Sequence, residues 1–194
     1  MNAIVSLFLR VKHWQLFILS GIIFLAEVLV LKSHLPATGI PFLVRVAVTA
    51  SGTMMLLAWI WSVGSFLNSI VQPSLRFNMP LFYFTLIVPV IYASLAPSLV
   101  LNVDMSLTFA KGALQALAVI CVIYDVGLVA DLLVRAETGK PASFTEVAGQ
   151  FLLIWFFVLG VWSVQPRINR LYAERKKGFT PNEPLTHGAT QFPG

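Results

Sequence analysis

The stretch from Phe144 to Lys177 reads FTEVAGQFLLIWFFVLGVWSVQPRINRLYAERKK, and it decides the fold class. Its central run, Val147 to Val164, contains no Lys, Arg, Asp or Glu. At 1.5 Å per residue a helix of this length crosses roughly 27 Å, close to the thickness of the hydrocarbon core of a bilayer. The stretch therefore predicts a membrane-spanning helix with a basic, lipid-facing end. The cations of that end are Arg167, Arg170, Arg175, Lys176 and Lys177.

The composition of the whole chain agrees with a membrane protein. Of its 194 residues, 58% are hydrophobic and 11% are charged, whereas soluble domains carry about 25% charged residues. The net charge of +5 sits mostly after the last apolar run. There it indicates membrane topology and contact with anionic lipid head groups, before any contact with nucleic acid. The single cysteine, Cys121, excludes an intrachain disulfide and a cysteine-built metal site.

Apolar runs separated by short polar segments predict an all-α integral membrane bundle of about five transmembrane helices with short loops. We expect one membrane domain over residues 1–177, followed by a disordered tail over 178–194. Two interfacial helices, over 2–13 and 166–177, would flank the spans, with ordinary solvated flanks as the alternative. The five predicted spans cover residues 14–31, 46–67, 81–101, 109–133 and 147–165.

Five crossings place the two ends of the chain on opposite sides of the membrane. Eight Lys and Arg then share the side of the C-terminus: Lys32, Arg45, Lys111 and the five cations of the basic end. The other side has five: Arg10, Lys12, Arg76, Arg135 and Lys140. For such a multi-pass protein, this bias favours a cytoplasmic C-terminus. Arg10 and Lys12 oppose this orientation, because they favour a cytoplasmic N-terminus as well. Four or six crossings would place both ends on one side, but no apolar run looks as if it could be left out or divided into two spans.

Ionisable and polar residues inside the spans are costly there, so they are the candidate functional residues. Asp125 lies deepest and has no partner within its own helix, so it must face the bundle, a cavity or a subunit, or else be protonated. Asp131 and Arg135 are four residues apart and can pair on one helix face. For Asp125, a structural hydrogen bond competes with a role in a relay or in catalysis. The candidate set is Glu27, Lys111, Asp125, Asp131 and Gln150.

Three further patterns predict structure. Ser143 and Glu146 form the Ser-x-x-Glu pattern of a capping box at the start of the last span. Trp155 and Trp162, seven residues apart, share a helix face that suits packing against another helix, while Trp59 suits the interfacial belt. Small residues from Thr49 to Thr53 in the second span permit close approach of a neighbouring helix.

Motifs of known chemistry are absent from the sequence. It has no P-loop, no dinucleotide-binding glycine pattern, no His-Glu-x-x-His and no Gly-x-Ser-x-Gly. His13, His34 and His187 lack metal-ligand spacing. We therefore predict no catalytic, cofactor-binding or metal site, no cofactor and no nucleic-acid partner.

Three segments resemble a family of small, uncharacterised bacterial multi-span membrane proteins of about this length. They are LRVKHWQLF from Leu9 to Phe17, SFTEVAGQFLLIWFF from Ser143 to Phe157, and GVWSVQPRINRL from Gly160 to Leu171. The resemblance implies a bacterial origin and the inner membrane. It also implies that the QPRIN segment, Gln165 to Asn169, is a family feature, and it transfers no catalytic or binding residue.

Three functions fit the sequence. The first is a non-enzymatic integral membrane protein, an accessory or structural subunit that packs in a larger assembly or a homo-oligomer. The second is a channel or transporter for a small solute or a proton, using Asp125 with Lys111, Glu27 or Gln150. The third is an intramembrane enzyme acting on lipid, with Asp125 or Asp131 as acid or base. The absence of a catalytic constellation ranks the first ahead of the others and the enzyme last.

Overall fold

The computed structural model describes residues 3–32, 39–101 and 105–176. Every element within these ranges is helical, which confirms the predicted all-α class. A short 3-10 helix, Pro73–Leu75, lies between α3 and α4. The α-helices are α1 Ala3–Arg10, α2 His13–Lys32, α3 Gly39–Ile70, α4 Met79–Leu101, α5 Met105–Thr138, α6 Phe144–Trp155 and α7 Phe157–Lys176. The predicted tail over 178–194 lies outside the described residues.

Three of these helices are long and apolar enough to cross a membrane. The segments are His13–Val30 in α2, Val46–Ile70 in α3 and Phe109–Thr138 in α5. A fourth span results if α6 and α7 count together as one bent crossing. In α4, the apolar segment Met79–Ala93 is shorter, although the whole helix has 23 residues. The predicted count of five crossings therefore stays a prediction.

The predicted span over 147–165 is broken near its middle. Helix α6 ends at Trp155, the backbone of Phe156 has φ −85° and ψ 59°, and α7 begins at Phe157. The axes of the two helices differ by 112°. An apolar run predicts burial or lipid contact at every position, but it carries no information on the direction of the helix axis. In place of a separate helix over 166–177, α7 continues through Pro166.

Helices α3 and α5 end, and α4 and α6 begin, at the same end of the bundle. We call this end, residues 68–79 and 131–146, the polar end. Most of the buried apolar core lies next to it. Buried apolar side chains next to it come from α1, α3, α5 and α7, and they include Leu9, Phe66, Leu67, Leu132, Leu133 and Ile168. By contrast, α2 and the first half of α5 expose large apolar side chains such as Phe24 and Ile120. An apolar belt beside a packed polar end is the surface that a bilayer favours.

Helix α2 packs along α3 at the small-residue cluster. A methyl group on Gly52 would lie 2.5 Å from Oε1 of Glu27 and 3.2 Å from Cγ2 of Ile23. Because Gly52 has no side chain, α2 can approach α3 closely and the Glu27 carboxylate can lie against the α3 backbone. The close approach predicted for the Thr49–Thr53 cluster is confirmed at Gly52.

Candidate functional site

Asp125 is a buried carboxylate in the middle of the bundle. Its Oδ1 lies 2.5 Å from Thr85 Oγ1 of α4, and its side chain is fully buried. The expectation that Asp125 faces the bundle is confirmed. Its second oxygen, Oδ2, is also buried and has no hydrogen-bond partner among the described residues.

Thr85 offers one hydroxyl hydrogen to three oxygen atoms. Its Oγ1 lies 3.1 Å from the carbonyl oxygen of Leu81, 3.0 Å from that of Phe82 and 2.5 Å from Asp125 Oδ1. An ionised Asp125 accepts that hydrogen. A protonated Asp125 donates its own hydrogen to Thr85, which then donates to a backbone carbonyl. The geometry therefore accommodates Asp125 with or without a proton.

The other candidate residues do not converge on Asp125. Lys111 and Asp125 lie about 21 Å apart along the continuous helix α5. Glu27 lies against Gly52 of α3, and Gln150 binds Arg167. The prediction that Asp125 acts together with Lys111, Glu27 or Gln150 therefore finds no support in their positions. Thr85, which the candidate set omitted, is the side chain that binds Asp125.

Asp131 and Arg135 form the predicted pair on α5, with 2.8 Å between Arg135 Nη2 and Asp131 Oδ2. Arg135 Nη1 also donates to the carbonyl oxygen of Leu75 at 3.0 Å. The guanidinium carbon lies 4.5 Å from the ring centre of Phe77, within the range of a cation–π contact. Arg135 thus ties the end of α5 to the segment that precedes α4, which is a structural role. The predicted capping box of Ser143 and Glu146 is also present at the start of α6.

Arg167 forms an ionic lock with Glu137 and Gln150, where the sequence predicted a lipid-facing cation. Its Nε donates to Glu137 Oε1 at 2.7 Å, and its Nη2 donates to Glu137 Oε2. Its Nη1 donates to Gln150 Oε1 at 2.5 Å. A guanidinium can bind both oxygens of a carboxylate and still reach a third acceptor, because its donors lie in one planar fork. The lock joins α5, α6 and α7, so the sequence-based role of Arg167 is corrected.

The other cations of the basic end are less tightly held. Arg170 is 64% exposed and lies 3.9 Å from the carboxylates of Glu137 and Glu174. Arg175 donates to Ser69 Oγ at the end of α3. Lys176 is the last residue of α7, and Lys177 lies outside the described residues. Contact of these cations with lipid phosphates stays a prediction.

Gln165 is fully buried and joins three helices. Its Oε1 accepts a hydrogen bond from Trp59 Nε1 at 2.9 Å. Its Nε2 lies 2.9 Å from the carbonyl oxygen of Phe8 and 3.2 Å from that of Val11. Asn169, one turn later, binds both Gln165 and the Val11 carbonyl. We call these hydrogen-bonded residues the Gln165 lock. The candidate functional residues did not include Gln165. The signal for it in the sequence was a polar residue at the end of an apolar run, at the start of the QPRIN segment.

The prediction for Trp59 is wrong, and the prediction that Trp155 and Trp162 pack together against another helix is confirmed for Trp162 alone. Trp59 is buried in the Gln165 lock and not at an interfacial belt. Trp155 and Trp162 do not share a helix face, because the chain turns between them at Phe156. Trp155 stacks on Phe151, with 5.7 Å between ring centres. Trp162 instead packs against His13 and Phe17 of α2, at 4.7 and 5.4 Å.

An apolar groove of about 430 Å³ lies between α3 and α4. It contains none of the candidate polar residues; its lining is Met54, Leu57, Ala58, Trp61, Tyr83, Leu86, Ile87 and Val90. Among the residues that the structure describes, no three of His, Cys, Asp and Glu come together as a metal site. The geometry thus offers one buried carboxylate and several structural locks.

Comparison of the chain with protein-family models, with curated proteins and with solved structures finds no match.

Proposed function

We propose that this chain is a non-enzymatic integral membrane protein of the bacterial inner membrane that acts as a subunit of a larger assembly or a homo-oligomer. The observation that carries the proposal is the exposure of α2. Within His13–Val30, 6% of the residues are buried inside the chain, against 29% and 56% for apolar stretches of the same length, 18 residues, in α3 and α5. Of the three apolar helices long enough to cross a membrane, α2 therefore has the smallest buried share.

Helix α2 contacts α3 and α7 and leaves much of its surface exposed. Glu27 and Ile23 meet α3 at Gly52, and His13 and Phe17 meet Trp162 of α7. The exposed face of α2, away from these contacts, presents the large apolar side chains Leu19, Ile22, Leu25 and Leu29, and Phe24 is exposed further along the side of Phe17. Packing against a partner helix would add van der Waals contact along this face, which is the main source of helix association inside a bilayer.

The internal polar groups support the same role. Arg135, Arg167 and Gln165 each bind groups on other elements. Buried polar side chains that satisfy one another rigidify a fold. A rigid bundle with an apolar outer helix suits a structural subunit.

Site-specific photo-crosslinking in native membranes tests this proposal. A photoreactive amino acid replaces Phe24 of α2, which is 67% exposed, and, as the matched control, Ile120 of α5, which is 61% exposed. We expect a defined protein adduct from position 24 and lipid adducts from position 120. Lipid adducts alone from position 24, or the same protein adducts from both positions, would contradict the assignment of α2 as the contact helix.

A second candidate function, proton transfer through the bundle, is favoured by the buried, unpartnered Oδ2 of Asp125. Proton flux into liposomes that contain the purified protein tests it. Asp125→Asn should abolish the flux, and Glu174→Gln on the exposed surface of α7 should not. Equal flux in Asp125→Asn and the wild-type chain would exclude this function. The lipid-enzyme hypothesis gains no support, since Asp125 binds Thr85 whereas Asp131 binds Arg135.

A further inference from the structure

The two helices α6 and α7 are too short and too sharply angled to form an ordinary crossing. Helix α6 has 12 residues, so it is about 18 Å long, whereas the hydrocarbon core is about 30 Å thick. At its end the chain turns through 112°. A turn of more than 90° sends α7 back toward the side from which α6 came.

Side-chain contacts fix the direction of α7. Phe157, at its start, packs on Trp59 in the second half of α3, with 5.1 Å between ring centres. Tyr172 packs on Phe66 at 5.6 Å, and Arg175 binds Ser69. Helix α7 therefore runs alongside α3 toward the end of α3. That end is the polar end, where α5 also ends and α6 begins.

The ionic lock of Arg167 holds α7 against α6 and the end of α5. Arg167 on α7 binds Glu137 in the last turn of α5 and Gln150 on α6. A helix that continued to the opposite membrane surface would carry Arg167 away from Glu137. The lock therefore stabilises a returning path.

The start of α2 lies on the same side. The Gln165 lock holds the carbonyl oxygens of Phe8 and Val11, at the junction of α1 and α2, against α7. From this junction the chain has four long helices, α2 to α5, of 20, 32, 23 and 34 residues. Each is about 30 Å or longer, enough to cross the core. Four crossings return the chain to the side on which it began.

We propose that α6 and α7 form a re-entrant hairpin, so that four helices cross the membrane and both ends of the chain lie in the cytoplasm. The cations of the described residues then separate by side. The polar-end side has nine: Arg10, Lys12, Arg76, Arg135, Lys140, Arg167, Arg170, Arg175 and Lys176. The opposite side has three: Lys32, Arg45 and Lys111.

This separation removes the conflict that five crossings create at the N-terminus. Lys and Arg concentrate on the cytoplasmic side of membrane proteins. Over the same described cations, four crossings give nine against three, whereas five crossings give seven against five. The exposed members of the larger set, such as Arg170 and Lys140, then face the anionic lipids of the cytoplasmic leaflet.

Cysteine labelling of the full chain in bacterial membranes tests the topology. In a Cys121→Ala background, single cysteines are placed by Lys140→Cys before α6, Ala173→Cys near the end of α7 and Lys32→Cys at the end of α2. All three positions are exposed. A membrane-impermeant maleimide is applied to intact cells with a permeabilised outer membrane, and separately to inside-out vesicles.

We expect the cysteines at 140 and 173 to react in inside-out vesicles alone, and the cysteine at 32 to react from the outside alone. Reaction of 140 and 173 from opposite sides would overturn the hairpin. Reaction of both from the outside would overturn the cytoplasmic assignment. Thr138→Cys and Glu174→Cys repeat the comparison at neighbouring exposed positions, so that one misfolded variant does not decide the result.

Discussion

Gln165 of α7 accepts a hydrogen bond from the indole of Trp59 in α3, with 2.9 Å between Oε1 and Nε1. Gln165 is fully buried and Trp59 is 1% exposed. A buried donor that loses its partner has no water to replace it, so this pair fixes the position of α7 against α3. Because the same amide holds the Phe8 and Val11 carbonyls, one side chain sets the arrangement of three helices.

Gln165→Leu should lower the free energy of unfolding, because it leaves the Trp59 donor without a partner and removes the bond to the Phe8 carbonyl, while the Val11 carbonyl keeps Asn169. The cost of the donor alone is roughly 1–3 kcal/mol. Cys121 is buried and is the single cysteine of the chain. A thiol-reactive dye therefore reports unfolding of the detergent-solubilised protein during heating.

Trp59→Phe provides the partner measurement for Gln165→Leu. It removes the donor while keeping an aromatic ring against Phe157. The double variant should lose less stability than the two single variants together, since neither partner then remains unpaired. Additive losses would show that the hydrogen bond contributes little. Ser163→Ala on the exposed surface of α7 is the control and should leave the unfolding temperature unchanged.

Arg167→Lys should destabilise the hairpin, whereas Arg170→Lys should have little effect. A lysine keeps the charge, but it cannot bind both oxygens of Glu137 and the amide oxygen of Gln150 in one plane. Arg170 is 64% exposed and 3.9 Å from its nearest carboxylate oxygens, so its pairing is worth little. The measurement is again the temperature at which Cys121 becomes reactive. Equal shifts for the two variants would mean that charge alone, without the forked geometry, holds α7.

Gly52→Ala and Gly21→Ala should change stability in opposite directions. A methyl group at position 21 meets nothing within 4 Å, so Gly21→Ala should gain about 0.5–1 kcal/mol of helix stability. A methyl group at position 52 would lie 2.5 Å from Glu27 Oε1 and 3.2 Å from Ile23 Cγ2, so Gly52→Ala must displace both side chains or move α2 away from α3. Glu27→Ala should restore part of the loss by vacating the space. Stabilisation by both glycine substitutions would contradict the close approach of α2 to α3.

Sequence reasoning reached the helical class, the polar residues and the local pairs. Asp131 with Arg135, and Ser143 with Glu146, are three or four residues apart, so helix periodicity alone brings them together. The inward orientation of Asp125 followed from the cost of exposing a carboxylate to lipid.

Contacts between residues far apart in the sequence could not be predicted from the sequence. Glu137 and Arg167, or Trp59 and Gln165, meet because α6 and α7 turn back, and that turn depends on the backbone at Phe156. Apolar composition is the same for a run that crosses and for one that returns. The charge count agrees with the proposed hairpin, since Arg10 and Lys12 favour an even number of crossings.

Gly160→Ala should disrupt the turn between α6 and α7, whereas Gly149→Ala should not. A methyl group on Gly160 would overlap the carbonyl oxygen of Leu153, and a backbone atom cannot step aside as a flexible side chain can. At Gly149, on the exposed surface of α6, a methyl group meets nothing within 4 Å. Thermal unfolding followed through Cys121 should show a loss for the first variant and none for the second. Cysteine labelling at position 173 should also become two-sided in Gly160→Ala if part of the population straightens. Unchanged unfolding and one-sided labelling in both variants would mean that the turn at Phe156 does not bring Gly160 against the backbone of Leu153.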